Sequence, residues 1–232
     1  MSHAFLMALR EGKDAFLIIA LVLAYARTSQ TTSVRALLWG IAASVPVSGV
    51  LGYLLWISQG AYQPIHEGLV YSAALVLTVM AGSYMHSKGA MSFPFIVGFA
   101  VFMISREMME IALLLFQIQQ LQMIAGILLG ISAAGAIAWL WQQCGISIPM
   151  SRFRMIASAY VLLFAVQLLS QIFHEFTEAG ILPFSETLHE ASEPYSSEGR
   201  YGRLYGVIVL TGCSLWLAAE WARERFVGVP QR

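Results

Sequence analysis

Ala4-Phe5-Leu6-Met7-Ala8-Leu9-Arg10-Glu11-Gly12-Lys13-Asp14 and Phe99-Ala100-Val101-Phe102-Met103-Ile104-Ser105-Arg106-Glu107-Met108-Met109-Glu110 share one design: an apolar run broken by arginine, acid, two residues, acid. Apolar residues resume after each break, through Ala26 in the first case and Phe116 in the second. Each charged run therefore falls inside a helix long enough to cross a bilayer. A charge near the bilayer centre costs roughly 2.5–3.5 kcal/mol. The seven charged residues of the two runs would carry a gross penalty on the order of 20 kcal/mol. They must face one another or a polar cavity, and they mark the function.

The rest of the composition agrees. Of 232 residues 58% are hydrophobic and 11% charged, with a mean hydropathy of +0.70, values that fit a polytopic membrane protein and exclude a soluble domain. A formal net charge of zero gives no basic field for nucleic acid. The first apolar stretch lacks a basic leader and a small-residue cleavage site, so it is expected to be a retained helix. Cys144 and Cys213 have no metal-type spacing and are expected to be packing residues.

Windows of near-membrane length fall at about 4–26, 35–57, 66–86, 92–116, 122–143, 153–173 and 203–222. The fold expected is an all-α polytopic membrane protein with seven transmembrane helices. Turn chemistry separates the windows at 28–33, 58–60, 87–89 and 145–149. Pro46 falls mid-window with apolar residues on both sides, which predicts a kink and not an end. Trp56, Trp139, Trp141 and Trp221 fall near helix ends, as an interfacial belt requires. With seven spans, Arg27, Arg35, Lys88, Arg152, Arg154, Arg223, Arg225 and Arg232 share one side, against Arg200 and Arg203 on the other. The positive-inside rule then places the N-terminus outside and the C-terminus in the cytoplasm. Acids collect on the outer side, at Glu67 and from Glu175 to Glu198, together with His66, His174 and His189. That concentration would draw a cation from outside.

The charged runs lie three spans apart, so their helices run in opposite directions, as in two inverted three-helix repeats that bind at their interface. The expected division is 1–88 for the first repeat, 89–183 for the second, an acidic outer loop at 184–202, and the seventh helix with its tail at 203–232. At about 100° per residue, the two acids of each run share one face, with the arginine at i,i+4 to the second acid. Glu11, Asp14, Glu107 and Glu110 would then converge as oxygen ligands for a hard cation. Arg10 and Arg106 would act as structural ion-pair partners that keep the acids ionised, and Lys13 has no assigned role. A buried staple between the two helices is the bland reading, but stapling does not require two acids per helix.

These residues carry a resemblance. The chain resembles the high-affinity iron permease family, seven-helix proteins marked by Arg-Glu-Gly-x-Glu motifs in helices one and four. Here the motifs stand as Arg10-Glu11-Gly12-Lys13-Asp14 and Arg106-Glu107-Met108-Met109-Glu110, with a family-like segment at His174-Glu175-Phe176-Thr177-Glu178-Ala179-Gly180 and an acid at Glu67. Asp14, Lys13 and Met108 depart from the family pattern. The resemblance implies import of iron, as ferric ion, across the cytoplasmic (inner) membrane, with iron as substrate and no tightly bound cofactor. It assigns Glu11, Asp14, Glu107 and Glu110 to the transport site. It assigns Glu67, Glu175, Glu178 and His174 to collecting the ion. It also implies periplasmic iron-binding or iron-oxidising partner proteins. No nucleotide-binding motif is present, so transport would draw on an ion gradient, the membrane potential or an oxidising partner.

Other readings use the same residues. Carboxylates would also suit ferrous, manganese or lead ion. His174-Glu175-Phe176-Thr177-Glu178 differs from the His-Glu-x-x-His zinc signature only at its last position. A non-transporting scaffold or sensor would use the small-residue stripe Gly126, Gly130, Ala134 and Ala138 for packing, either as a homo-oligomer or within the chain.

Overall fold

The structure, a computed structural model, describes residues 2–29, 34–57, 64–87, 89–117, 121–196 and 199–226. All its regular elements are helical: α1 (Ser2–Ser29), α2 (Val34–Ile57), α3 (Pro64–His86), α4 (Phe93–Gln117), α5 (Leu121–Ile146), α6 (Met150–Glu178), α7 (Ser185–Ser192) and α8 (Arg200–Phe226), with a 3-10 turn at Glu193–Tyr195. Each predicted window is a helix, with its ends moved by a few residues. The breaks at 30–33 and 58–60, together with Lys88, Glu198 and 227–232, lie outside the described residues. α2, α3, α5, α6 and the segment Ser185–Phe226 that contains α8 are long and apolar enough to cross a membrane. α1 and α4, at 28 and 25 residues, match them in length and carry the charged runs.

α2 explains how such helices pack. Its buried positions are Ala36, Leu37, Gly40, Ser44, Ser48 and Gly52, whereas Leu38, Trp39, Val50, Leu54 and Trp56 are exposed. Small residues point inward and large apolar ones outward, the reverse of a water-soluble helix. That pattern suits a lipid surround, where close backbone approach replaces the hydrophobic drive. Pro46 sits on the exposed side of α2, which continues through it.

The chain divides into two compact units, Met1–Gly60 with Lys88–Met150, and Ala61–Ser87 with Ser151–Arg232. Each draws helices from both halves of the sequence. In the first unit α1 packs on α5 and α2 on α4, and α1 also meets α4. The approach is close enough to require glycine. A Cβ on Gly12 would stand 2.8 Å from the Ala134 Cβ, and one on Gly130 would stand 2.5 Å from the Phe5 carbonyl oxygen and 2.8 Å from the Ala8 Cβ. One on Gly40 would stand 2.6 Å from the Ala100 Cβ, and the Ser105 hydroxyl donates to the Ser44 carbonyl at 3.4 Å. Residue numbers rise together along both pairs, so α1 runs parallel to α5 and α2 parallel to α4. The stripe on α5 is thus taken up by α1 within the chain. Ala4, Ala8, Ile111 and Ile127 form a core there, with Met108 packed against it. Met108 fills as a side chain the space that its counterpart Gly12 leaves to a neighbouring helix.

In the second unit α3 and α6 run antiparallel. A Cβ on Gly68 would meet the Phe176 ring, and one on Gly82 would stand 2.7 Å from Val161 Cγ1. α8 runs antiparallel to α6: Arg152 bonds Glu220 at 2.8 Å and Glu224 at 2.6 Å, and the Tyr205 hydroxyl donates to the Leu163 carbonyl at 2.8 Å.

Two expectations change. The stretch read as an acidic loop contains α7, because alternate sides of Ser185–Ser192 differ: Ser192 is buried and His189 half-buried, while Glu186 and Glu190 are exposed. Trp141 is buried in the helix packing and is no part of an exposed belt, unlike Trp56 and Trp139. Cys144 and Cys213 are free thiols.

Candidate functional site

The α1 and α4 charges are interior. Glu11, Asp14, Arg106 and Glu107 are all buried, Glu107 to 3% exposure. Each cation of the two runs pairs with the acid beside it in sequence: Arg10 with Glu11 at 2.5 Å, Lys13 with Asp14, and Arg106 with Glu107. A desolvated side chain that folds onto the nearest opposite charge is neutralised at the shortest range. Lys13, which the sequence left without a role, neutralises Asp14. The α1 run is thereby balanced within itself, two cations against two acids.

The two runs also sense each other. Arg106 of α4 lies within electrostatic reach of Glu11 of α1, and so does Asp14. The structure therefore brings Glu11, Asp14, Arg106 and Glu107 into one unit on two touching helices. The side chain of Glu110 lies outside the described residues. Among the described residues, Glu11, Asp14 and Glu107 do not stand close enough together to form a three-ligand metal group.

A second cluster lies in the other unit, at the end of α6. Phe176, Thr177, Glu178, Ala179 and Gly180 close the helix with paired capping bonds, the Ile181 N–H to the Phe176 carbonyl at 3.2 Å and the Gly180 N–H to the Thr177 carbonyl at 3.1 Å. Gly180 adopts φ 71°, the left-handed turn that glycine takes without a Cβ penalty. The reversal carries α7 back beside α6. The His174 and His189 rings then stack with centroids 4.7 Å apart, and His174, Glu178 and His189 can each offer one ligand atom within 4.8 Å of the others. Of the residues expected there, His174 and Glu178 join this group, whereas Glu175 is buried. Glu67 sits half-exposed in the first turn of α3, next to the Gly68 that packs on Phe176. His189 was seen in the sequence as part of an acidic stretch but not as a ligand. It follows His174 by no recognised metal spacing, and only the Gly180 turn could have suggested its return. It supplies the second imidazole that the segment lacks at position 178.

Comparison of the chain with protein-family models, with curated proteins and with solved structures returns no match.

Proposed function

We propose that this chain is a metal-ion permease, with iron as its substrate, and that Glu11, Asp14, Glu107 and Glu110 form its transport site. The observation that carries the reading is the burial of two like charged runs on two touching helices, with Arg106 of one run in reach of Glu11 of the other. A mere staple between α1 and α4 needs one ion pair. Here Arg10, Lys13 and Arg106 each pair with the acid beside them, and the two runs together carry one acid more than they carry cations. Arg10, Lys13 and Arg106 against Glu11, Asp14, Glu107 and Glu110 leave one negative charge.

The helix directions support a chain that crosses the bilayer seven times as two inverted three-helix repeats and a last helix. Exchanging α1 with α4 and α2 with α5 turns the α1–α5 pair into the α4–α2 pair, and both pairs run parallel. The packing stripes correspond as well: Gly40, Ser44, Ser48 and Gly52 on α2 match Gly126, Gly130, Ala134 and Ala138 on α5, all buried. The inner-membrane location, the N-outside orientation, the ferric state of the ion and the periplasmic partners rest on loop charge and on the resemblance.

Uptake of radiolabelled iron into proteoliposomes, offered as ferrous or ferric ion, tests this. Wild type accumulates iron, and Glu107→Ala and Asp14→Ala abolish accumulation while each variant stays folded. Uptake that survives both substitutions refutes the site. Preference for manganese or lead ion over iron in competition would reassign the substrate.

A further inference from the structure

We propose that His174, Glu178 and His189 form a binding site for a borderline divalent transition-metal ion, and that the ion clasps α7 to the end of α6. The three side chains come from two helices and supply two imidazole nitrogens and one carboxylate oxygen, all within 4.8 Å of one another. Ligand atoms around a tetrahedral ion at about 2.0–2.1 Å stand roughly 3.3 Å apart. Glu178 is exposed and can turn toward the half-buried His174 and His189 to approach that spacing.

The hydrogen bonds already set one ligand. The Ser192 hydroxyl donates its only proton to the His189 carbonyl at 3.0 Å. With that proton on the carbonyl, its oxygen can accept from His174 Nδ1, 2.9 Å away. With Nδ1 carrying the proton, neutral His174 holds a lone pair on Nε2, the nitrogen left for a metal. A partner that fixes the tautomer of a ligating imidazole in this way is a regular feature of protein metal sites. The Thr177 hydroxyl gives its proton to the His174 carbonyl at 2.6 Å and lies 3.4 Å from the Ser192 hydroxyl. His189 Nδ1 is buried and has no hydrogen-bond partner among the described residues. A buried polar nitrogen without a partner is costly, and a metal ion would satisfy it.

The donor set selects the ion class. Imidazole suits zinc, ferrous, cobalt and nickel ions, whereas magnesium and calcium take oxygen ligands. Three protein ligands leave a fourth position open, so a bound ion can be taken up and passed on. Binding rests on this geometry alone. Its use as a loading post for transport rests on the proposed function.

The test uses the full chain without a polyhistidine tag, in detergent or nanodiscs at slightly alkaline pH, titrated with Co²⁺ as a coloured probe. Wild type is expected to bind one ion with the absorption of histidine-ligated cobalt, and an excess of Mg²⁺ leaves the signal in place. His189→Ala and His174→Ala remove it. Ser192→Ala, which frees the tautomer, weakens it about ten-fold, and Glu107→Gln keeps it whatever it does to uptake. Hydrogen exchange over 185–195 slows on adding Co²⁺ in wild type but not in His189→Ala. A wild type without the signal, a signal that survives His189→Ala, or displacement by Mg²⁺ overturns the proposal. Cobalt binding in a wild type that transports no iron would leave this site standing and refute the transport reading instead.

Discussion

Gly130→Ala and Gly135→Ala place the same methyl group five residues apart on α5 and should act in opposite directions. Both replace a helical glycine, and alanine favours the helix by about 1 kcal/mol in each case. At Gly135 nothing lies within 4 Å of the new Cβ, so that gain stands and the variant is expected to equal or exceed wild type in stability. At Gly130 the Cβ would lie 2.5 Å from the Phe5 carbonyl oxygen, 2.8 Å from the Ala8 Cβ and 2.9 Å from the Leu9 backbone nitrogen. Two of those atoms are backbone and cannot rotate aside, so α1 and α5 must separate by roughly 1 Å to restore ordinary contact. Overpacking of this kind costs typically about 1–3 kcal/mol, and rigid backbone neighbours favour the upper end. The net expectation is a loss of about 1–2 kcal/mol. Arg10 follows Leu9 directly, so the same shift displaces the charged run, and uptake should fall further than stability alone predicts. Equilibrium unfolding in mixed micelles measures the first effect and proteoliposome uptake the second. Equal stability of the two variants would refute the close α1–α5 packing on which the site is built.

Lys13→Leu removes the partner of the buried Asp14 and is expected to destabilise the apo protein by about 3–5 kcal/mol. Added substrate ion should restore much of that in thermal unfolding, and a variant indifferent to the ion would contradict a ligand role for Asp14. Gly180→Ala forces a Cβ into the left-handed turn after α6 at a cost of about 1–2 kcal/mol. Hydrogen exchange should then rise across α7 and cobalt affinity should fall; unchanged exchange would mean that α7 is held by other contacts. Arg152→Ala breaks the pairs with Glu220 and Glu224, but these are partly exposed, so unfolding should change by no more than about 1 kcal/mol. A larger loss would show that the α6–α8 contact depends on charge.

The sequence carried the helices because membrane length and hydropathy are local properties, and the same is true of the two charged runs. It carried less of their wiring. Helical angles place Arg10 one turn from Asp14, but they do not reveal that Arg10 also meets the adjacent Glu11 or that Lys13 meets Asp14. Partners across helices depend on which faces meet, and those are set by residues that attract little notice. Gly40, Ser44, Ser48 and Gly52 read as an ordinary apolar stretch until their burial shows them to be a packing face. His189 was illegible as a ligand for a related reason. Its place beside His174 depends on one glycine with φ 71°, and the residues between them look like a solvated loop.

The small-residue stripes and the charged runs belong to one physical device. In lipid, apolar side chains gain nothing by leaving the surround for each other, so a helix bearing buried charge is not held inward by its leucines. It is held by dispersion between closely apposed backbones, which falls off within an ångström of separation. Gly12, inside the first run, sits against Ala134, and Gly130 sits against the backbone that leads into that run. Ser105, immediately before Arg106, is hydrogen-bonded to Ser44 of the α2 stripe. In both pairs a direct contact lies within one turn of the charges, at Gly12 on Ala134 and at Ser105 on Ser44. Close helix packing therefore sits beside the desolvated acids in each pair, and under the proposed function acids held in this way would be unable to relax toward one another before a cation arrives.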